Sequence, residues 1–368
     1  MYIYENKKWP YFTWDNDEII SLLAAARKQQ GLLLGKMQTL GFEVQNDSTL
    51  TTLIADIKES SAIEGEKLDS DQIRSSVARK LQLDLNGLVR SDKNVDGIVE
   101  MVFDATEYYN LPLTKQRLFK WHSYLFPEQP SFNRIIIGDW RDDSTGPMQI
   151  VSGPIGYEKV HFQAPKAKVV GKEMDLFFDW FNNENKTDLF LKAAIAHFWF
   201  VTIHPFEDGN GRIGRVISDM LLAKADDTSQ RYYSLSAEIK QDKNEYYKIL
   251  EHTSKGDMDI TNWLKWYLDT LMKAILNADN KLNLVLLKNR FWNENNNSIK
   301  NQRQSLMINK LLDGFEGKLT TTKWSKIAKC STDTALRDIQ DLIGKGILVQ
   351  GDSGGRSTSY ELKVKIKY

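Results

Sequence analysis

Apolar residues recur at helical spacing over most of the chain, and only a few short runs read as strands. Over 17–40, Ile19, Leu22, Leu23 and Ala26 share one face of a helix. From Ser48, apolar Leu50, Leu53, Ile54 and Ile57 stand at offsets of three, four and seven. That pattern stops near Gly65, a natural place for a left-handed cap. Asp69 or Ser70 caps a helix to about Leu83, and further helices are predicted over 95–109 and, behind Thr114, over 115–126. The chain then changes character. Residues 134–140, 148–151 and 160–163 are short β-type runs separated by Gly, Pro, Asp and Ser, which predicts a hairpin or flap inserted in a helical domain. Helical spacing returns over 169–181, 189–203, 213–224, 244–253 and from 260 to about 291, and Asn-rich 293–301 reads as a linker. In the tail, a helix over 325–329, a turn at 330–332 and a helix over 333–345 precede strands at 346–350 and 359–364, with the Gly-rich loop 351–358 between them. Two short helices followed by a hairpin describe a winged helix.

Composition narrows the classes. The 368 residues suggest two or three domains at roughly 150 residues each, and 41% hydrophobic residues exclude a disordered chain. A single cysteine, Cys330, excludes an internal disulfide and reads as an ordinary buried thiol. No apolar run of about 18 residues exists, so no membrane span is predicted. Residues 1–14 are aromatic and charged, so no signal peptide is read, and a cytoplasmic protein is the simplest expectation. Lys plus Arg (49) balance Asp plus Glu (49), which disfavours bulk nucleic-acid binding. The sum hides a split: 318–368 carries ten basic and five acidic residues, a balance of +5, leaving −5 for the first 317. DNA contact therefore stays open for the tail, as does protein contact. Arg337 and Arg356 are suitably placed for DNA, whereas Asp333, Asp338 and Asp341 on the same helix oppose a phosphate.

The chemistry concentrates in His204–Arg215, reading HPFEDGNGRIGR. Pro205 ends the apolar helix directly after His204, so the imidazole stands at the mouth of a loop. Gly209 and Gly211 flank Asn210 and let successive N–H groups aim at one point, at the N-terminus of a helix starting near Arg212: an anion nest. Arg212 and Arg215 share a helix face and add two permanent cations. Asp208 is a hard oxygen ligand suited to Mg²⁺. A polyphosphate cradle, a metal ligand and a histidine base suit phosphoryl-type transfer. The P-loop signature is absent.

This segment resembles the signature of the Fic family, histidine-x-Phe-x-(Asp/Glu)-Gly-Asn-Gly-Arg-x-x-Arg, at every defined position. A chance match at a given start is on the order of one in ten billion. The resemblance implies a protein adenylyltransferase that moves AMP from ATP to a Ser, Thr or Tyr hydroxyl of a target protein, or of itself, with Mg²⁺ as cofactor. On that resemblance His204 takes the hydroxyl proton and Asp208 holds Mg²⁺. Gly209, Asn210 and Gly211 cradle the phosphates, Arg212 and Arg215 bind their β- and γ-oxygens, and Phe206 is a core anchor.

Upstream, Leu50, Ile57 and Glu64 lie on one helical stripe, which places a carboxylate on an apolar side where it needs a cation. Ser60, one turn earlier, can support that pairing. The segment Ser60-Ser61-Ala62-Ile63-Glu64-Gly65 resembles the Fic inhibitory motif, (Ser/Thr)-x-x-x-Glu-(Gly/Asn). That likeness implies that Glu64 pairs with Arg215 and blocks the productive γ-phosphate position. In the family a β-hairpin flap holds the target, which makes Ile150, Val151, Ser152 and Gly153 candidate contacts. Tyr246-Tyr247 resembles a tyrosine pair that packs near adenine, against an equal reading as helix packing. His197 reads as packing, and His122, His161 and His252 lack metal-ligand spacing.

The expected fold is mainly α: an N-terminal helical region (1–92) with an inhibitory helix at about 48–65, a Fic helical core with its flap (93–292), a linker or helix (293–317) and a winged-helix-like domain (318–368). Three alternatives stay open: removal of AMP, transfer of another phosphate-containing group on the same fold, and a nucleotide-sensing DNA-binding regulator. A homodimer is compatible with the resemblance, and no residue singles one out.

Overall fold

In this computed structural model the described residues are all except 85, 129–134, 145, 155–156, 296–297, 300, 313–314, 316, 352–357 and 364–368. They form two compact units, Met1–Ala278 and Asp279–Tyr368. Fourteen α-helices and two two-stranded sheets are described, a mainly α fold.

The first unit begins with α1 (Asn16–Gln38), whose N-cap Asp15 accepts from the amides of Asp17 and Glu18. Next comes α2 (Phe42–Ile63), which starts at Phe42 rather than Ser48. The Gln45 amide donates to Met37 O and Leu40 O, so the first turn of α2 satisfies carbonyls at the end of α1. Helix α3 (Ser70–Lys80) has Asp69 as its cap, α4 (Lys93–Glu107) has Asp92, and α5 (Lys115–Leu125) has Thr114.

Strands β1 (Gln149–Ser152) and β2 (Lys159–Gln163) pair antiparallel, with an irregularity between Ile150 and Val151. The run predicted at 134–140 is not a strand over its described part, and Arg134 lies outside the described residues. Its backbone has other work: the Gly138 amide donates to His122, and just beyond the run the Arg141 amide donates to Pro205 O.

Helices α6 (Ala167–Asn183), α7 (Leu189–Ile203) and α8 (Asn210–Asp226) follow. Apolar around most of its circumference, α7 is the central helix and buries Phe190, Phe198, Phe200 and Ile203. It packs closely on α8. A Cβ on Gly214 would stand 2.9 Å from Val201 Cγ1, so glycine permits the approach. Then come α9 (Leu235–Gln241), α10 (Lys243–Ser254) and α11 (Thr261–Asn295). The sequence pattern does not mark α9: it is a short helix that Ser234 caps. Hydrogen bonds hold α2 to this region. Lys240 Nζ donates to Ala62 O at 2.9 Å, and Ser234 Oγ donates to Asp56 Oδ1 at 2.5 Å.

The second unit holds α12 (Gln302–Leu312), α13 (Thr321–Ile327), α14 (Thr332–Gly344), β3 (Leu348–Gln350) and β4 (Tyr360–Leu362), the strands antiparallel. Trp324, Ile339, Leu342, Met307 and Tyr360 share its core, and Cys330 is half-buried against it. Arg337 is exposed, but Asp338 turns inward to Arg303 at 2.8 Å and Asp341 accepts from Gln304 at 2.8 Å. Two of the three acids expected to oppose phosphate are thus committed to α12. Arg356, most of the 351–358 loop and Val364 lie outside the described residues.

Candidate active site

Pro205 cannot continue α7, and His204 leaves the helix with φ 53°. A non-glycine residue in that region is uncommon and is held by its surroundings. His204 Nδ1 stands 3.2 Å from Val201 O, and a carbonyl can only accept, so Nδ1 carries the proton and Nε2 is left as the acceptor. Desolvation lowers the His204 pKa to about 4, with the nearby Arg141 cation acting the same way. The imidazole is therefore neutral near pH 7. Arg141, buried, holds the loop from behind: its Nε donates to His204 O at 2.7 Å and its Nη2 to Pro165 O.

The loop then closes on itself. Asn210 Oδ1 accepts from Phe206 N at 3.0 Å, and its Nδ2 donates to Phe206 O at 2.7 Å. Its side chain is therefore spent on shaping the loop, and what it offers an anion is its backbone. Gly209 has φ +82°, where a Cβ would also meet Leu125 Cδ1 at 3.0 Å. The Ile213 amide closes the first turn onto Gly209 O at 2.9 Å, so the amides of Asn210, Gly211 and Arg212 precede the first intrahelical bond of α8. Such an end, with its helix dipole, attracts an anion.

His122 stabilises this loop from α5. Gly138 N–H donates to its Nδ1 at 3.1 Å, which leaves the proton on Nε2 to donate to Asp208 O at 3.2 Å. Its ring stacks on Phe206 with centroids 4.1 Å apart, and burial lowers its pKa to about 4. The side chain of Asp208 is 62% exposed at the edge of the nest. Among the described residues no three His, Cys, Asp or Glu groups converge to hold a metal. A divalent ion here would take Asp208, phosphate oxygens and water, a donor set that suits Mg²⁺.

Across the nest stands the C-terminal end of α2. Glu64 is its C-cap residue, and Oε1 meets Arg215 Nη2 at 2.8 Å. Arg215 is fully buried, donates through Nε to Ser60 Oγ at 2.9 Å and through Nη2 to Ser60 O at 3.0 Å. Burial alone would raise the Glu64 pKa, but Arg215, with Arg212 and Lys243, outweighs it and holds the carboxyl below its ordinary value. The same carboxylate fills the space over the nest: a Cβ on Gly211 would lie 2.1 Å from Glu64 Oε1. Arg212 pairs elsewhere, through Nη1 with Glu66 Oε2 at 2.7 Å. Glu64, Glu66, Asp208 and Arg212 open onto a cleft of about 840 Å³ that also reaches Lys93 and Asn94.

The remaining candidates divide. Tyr246 is buried beneath this site, its hydroxyl 2.9 Å from His197 Nε2, and burial pushes its pKa up to about 12. Tyr247 is partly exposed and reaches Ile63 O at 3.3 Å and Glu64 Oε2 at 3.4 Å. Of the pair, only Tyr247 has a face to offer a ligand. Ile150, Val151 and Ser152 lie on β1, whose four residues are all exposed, and Gly153 turns the chain with φ +105°. Ser152 Oγ stands 2.5 Å from His161 Nε2, and His161 Nδ1 2.7 Å from Glu251 Oε2, so β2 is tied to α10.

Sequence spacing does not single out His122, Arg141 or Glu66. A usable signal exists for His122, which shares the buried stripe of α5 with Leu118, Trp121 and Leu125 and so must find partners for both ring nitrogens.

Residues 112–222 match the Fic/DOC family, and residues 2–83 match a domain of unknown function (DUF4172). The chain is 38% identical over 87 residues to the protein adenylyltransferase Fic of Drosophila willistoni, covering 23% of this chain and 16% of that protein. It is 36% identical over 78 residues to a probable protein adenylyltransferase of Aquifex aeolicus (strain VF5), covering 19% of this chain and 24% of that protein. A Fic family protein from Desulfovibrio desulfuricans G20 has a similar fold, with TM-score 0.53 and 20% identity over 98% of this chain and 99% of that one.

Proposed function

The chain carries a Fic/DOC-family domain over residues 112–222, and from that we propose that it transfers AMP from ATP to a protein hydroxyl, with its own Glu64 as inhibitor. One observation carries the reading: a neutral His204, its Nε2 open, at the mouth of a helix N-terminus that holds Arg212 and Arg215. The names of the adenylyltransferase relatives support the reaction class.

In this mechanism the target hydroxyl oxygen attacks the α-phosphorus of ATP while its proton passes to His204 Nε2. The bond from the α-phosphorus to the bridging oxygen breaks, and pyrophosphate departs. The amides at the start of α8 and the two arginines neutralise phosphate charge where it develops. Asp208, with phosphate oxygens and water, would hold Mg²⁺, which supplies further charge neutralisation. The exposed β1 offers backbone groups to an extended target segment. While Glu64 is bonded to Arg215 over Gly211, that arginine and that volume are taken, which supports an inhibited resting state. Among the described residues no helix is long and apolar enough to cross a membrane. For the tail, the order α13, α14, β3, β4 supports a winged-helix reading, and with Asp338 and Asp341 bonded to α12 both DNA and protein contact stay open.

Purified wild type, Glu64→Gly and the double variant Glu64→Gly with His204→Ala would be given Mg²⁺ and ATP labelled at the α- or the γ-phosphate, with and without cell lysate. Protein label from the α position only, dependent on His204 and raised by Glu64→Gly, is expected. Label from the γ position would mean a kinase-like reaction, and no label from any variant would sink the transferase reading.

A further inference from the structure

Arg212 is nearly as buried as Arg215, yet its carboxylate partner is not Glu64. Arg212 Nη1 donates to Glu66 Oε2 at 2.7 Å, while Nη2 stands 3.8 Å from Asp208 Oδ1. The guanidinium lies 5.3 Å from the Phe126 ring centroid. Glu66 itself is held from a second side: its Oε1 accepts from Asn94 Nδ2 at 2.5 Å, in the first turn of α4. Between Glu64 and Glu66 stands Gly65 with φ +89°, a residue that can rotate where others are strained. Glu64 can therefore leave Arg215 while Glu66 stays anchored to α4.

Resting on the adenylyl-transfer reading, we propose that Glu66 is a positioning residue. With Asn94 it fixes the Nη1 edge of Arg212, so that Nη2 is presented to a polyphosphate beside Asp208. A planar guanidinium held by one edge is ordered before the ligand arrives. Without Glu66 the same cation would be buried with Asp208 as its nearest carboxylate at 3.8 Å, and an unpaired buried cation is costly. It would close on Asp208 and take the group that is to hold Mg²⁺. A Glu66 that instead competed with phosphate, as Glu64 does, would give effects of the opposite sign.

The test uses the full chain in the Glu64→Gly background. Added to it are Glu66→Ala, Glu66→Gln or Asn94→Ala, and Arg212→Ala with and without Glu66→Ala. ATP binding with Mg²⁺ is measured by calorimetry, AMP transfer as kcat and KM for ATP and for Mg²⁺, and folding by thermal melts. Loss of one charge-assisted bond corresponds to about tenfold. Glu66→Ala should weaken ATP binding and raise both KM values by about that factor, with kcat changed less. Glu66→Gln, which keeps a hydrogen bond, should recover much of the loss, and Glu66→Ala should add little once Arg212 is alanine. Tighter ATP binding or faster transfer in Glu66→Ala would overturn the proposal, as would an unchanged KM in a folded variant. A parent that binds ATP in a Glu66-dependent way but transfers no AMP would sink the transfer reading and leave the positioning role standing. A parent that binds no ATP would overturn both.

Discussion

His204 illustrates how one side chain acquires a role from its backbone. The left-handed turn before Pro205 lets Nδ1 reach back to Val201 O, and desolvation keeps the ring neutral. A base whose pKa is lowered to about 4 is available throughout the neutral range. We therefore expect AMP transfer by Glu64→Gly to be flat across the ordinary histidine value of 6.5, with an acid limb near 4. A rate profile with a midpoint near 6.5 would count against this imidazole environment. Replacing His204 by alanine should lower the rate by about 10²- to 10⁴-fold, the usual worth of a general base. Asn210 has a different task. Both ends of its buried amide are bonded to Phe206 backbone, so Asn210→Ala leaves two buried backbone groups without partners. Denaturant unfolding should show a loss of about 2–4 kcal/mol, whereas a purely phosphate-facing Asn210 would leave stability unchanged.

At the scale of elements, the working unit is the end of α2 against the start of α8. Glu64 has a carboxyl held below its ordinary 4.5 by Arg215 in spite of burial. A depressed carboxylate pKa means the contact contributes fully above the ordinary value and is lost as pH falls through the lower, folded value. Inhibition should therefore be insensitive to pH around neutrality: the transfer ratio of Glu64→Gly to wild type stays constant between about pH 6 and 8. A ratio that falls toward one within that window would sink the assignment.

This pair of elements also shows what a sequence can and cannot disclose. The twelve residues from His204 to Arg215 carry their chemistry in local spacing, since a helix N-terminus, two glycines and two arginines need no distant partner to be recognised. Pairing of Glu64 with Arg215 was accessible only through a resemblance. Glu66 and Arg212 are 146 positions apart, and His122 and Asp208 are 86 apart. Nothing in local periodicity joins such residues, because the packing of α2, α4 and α5 around α8 creates those contacts. The flap is legible as a β-type region, but one of its three runs is not a strand: its Gly138 amide goes to His122 of α5, and the adjoining Arg141 amide to Pro205 O in the loop after α7.

Across the first unit, stability depends in part on a buried polar cluster. Asp219 of α8 faces Asp56 of α2 and lies 3.2 Å from Arg231, which also meets Asp226 at 3.2 Å. Burial, with Asp56 adding to it, raises the Asp219 pKa well above the ordinary 3.8. A raised carboxylate pKa contributes stability that is complete below 3.8 and is lost as pH climbs through the folded value. Asp219→Asn mimics the protonated form and leaves Asp226 for Arg231. Its denaturant midpoint should match wild type in acid and exceed it increasingly toward neutral pH; a constant offset would contradict this assignment.

The place of Glu64 over Gly211 has one more consequence. On the proposed reading Glu64 is a tethered competitor, with an effective concentration set by how freely the end of α2 can move. In the proposed reaction ATP would have to displace that neighbour. On the proposed reading, the nucleotide level at which the protein responds would depend on the stiffness of the residues around Gly65 and on the grip of Lys240 on Ala62 as well as on the cradle itself. A change that loosens that end, far from any phosphate, would shift the threshold without altering a single group in the nest.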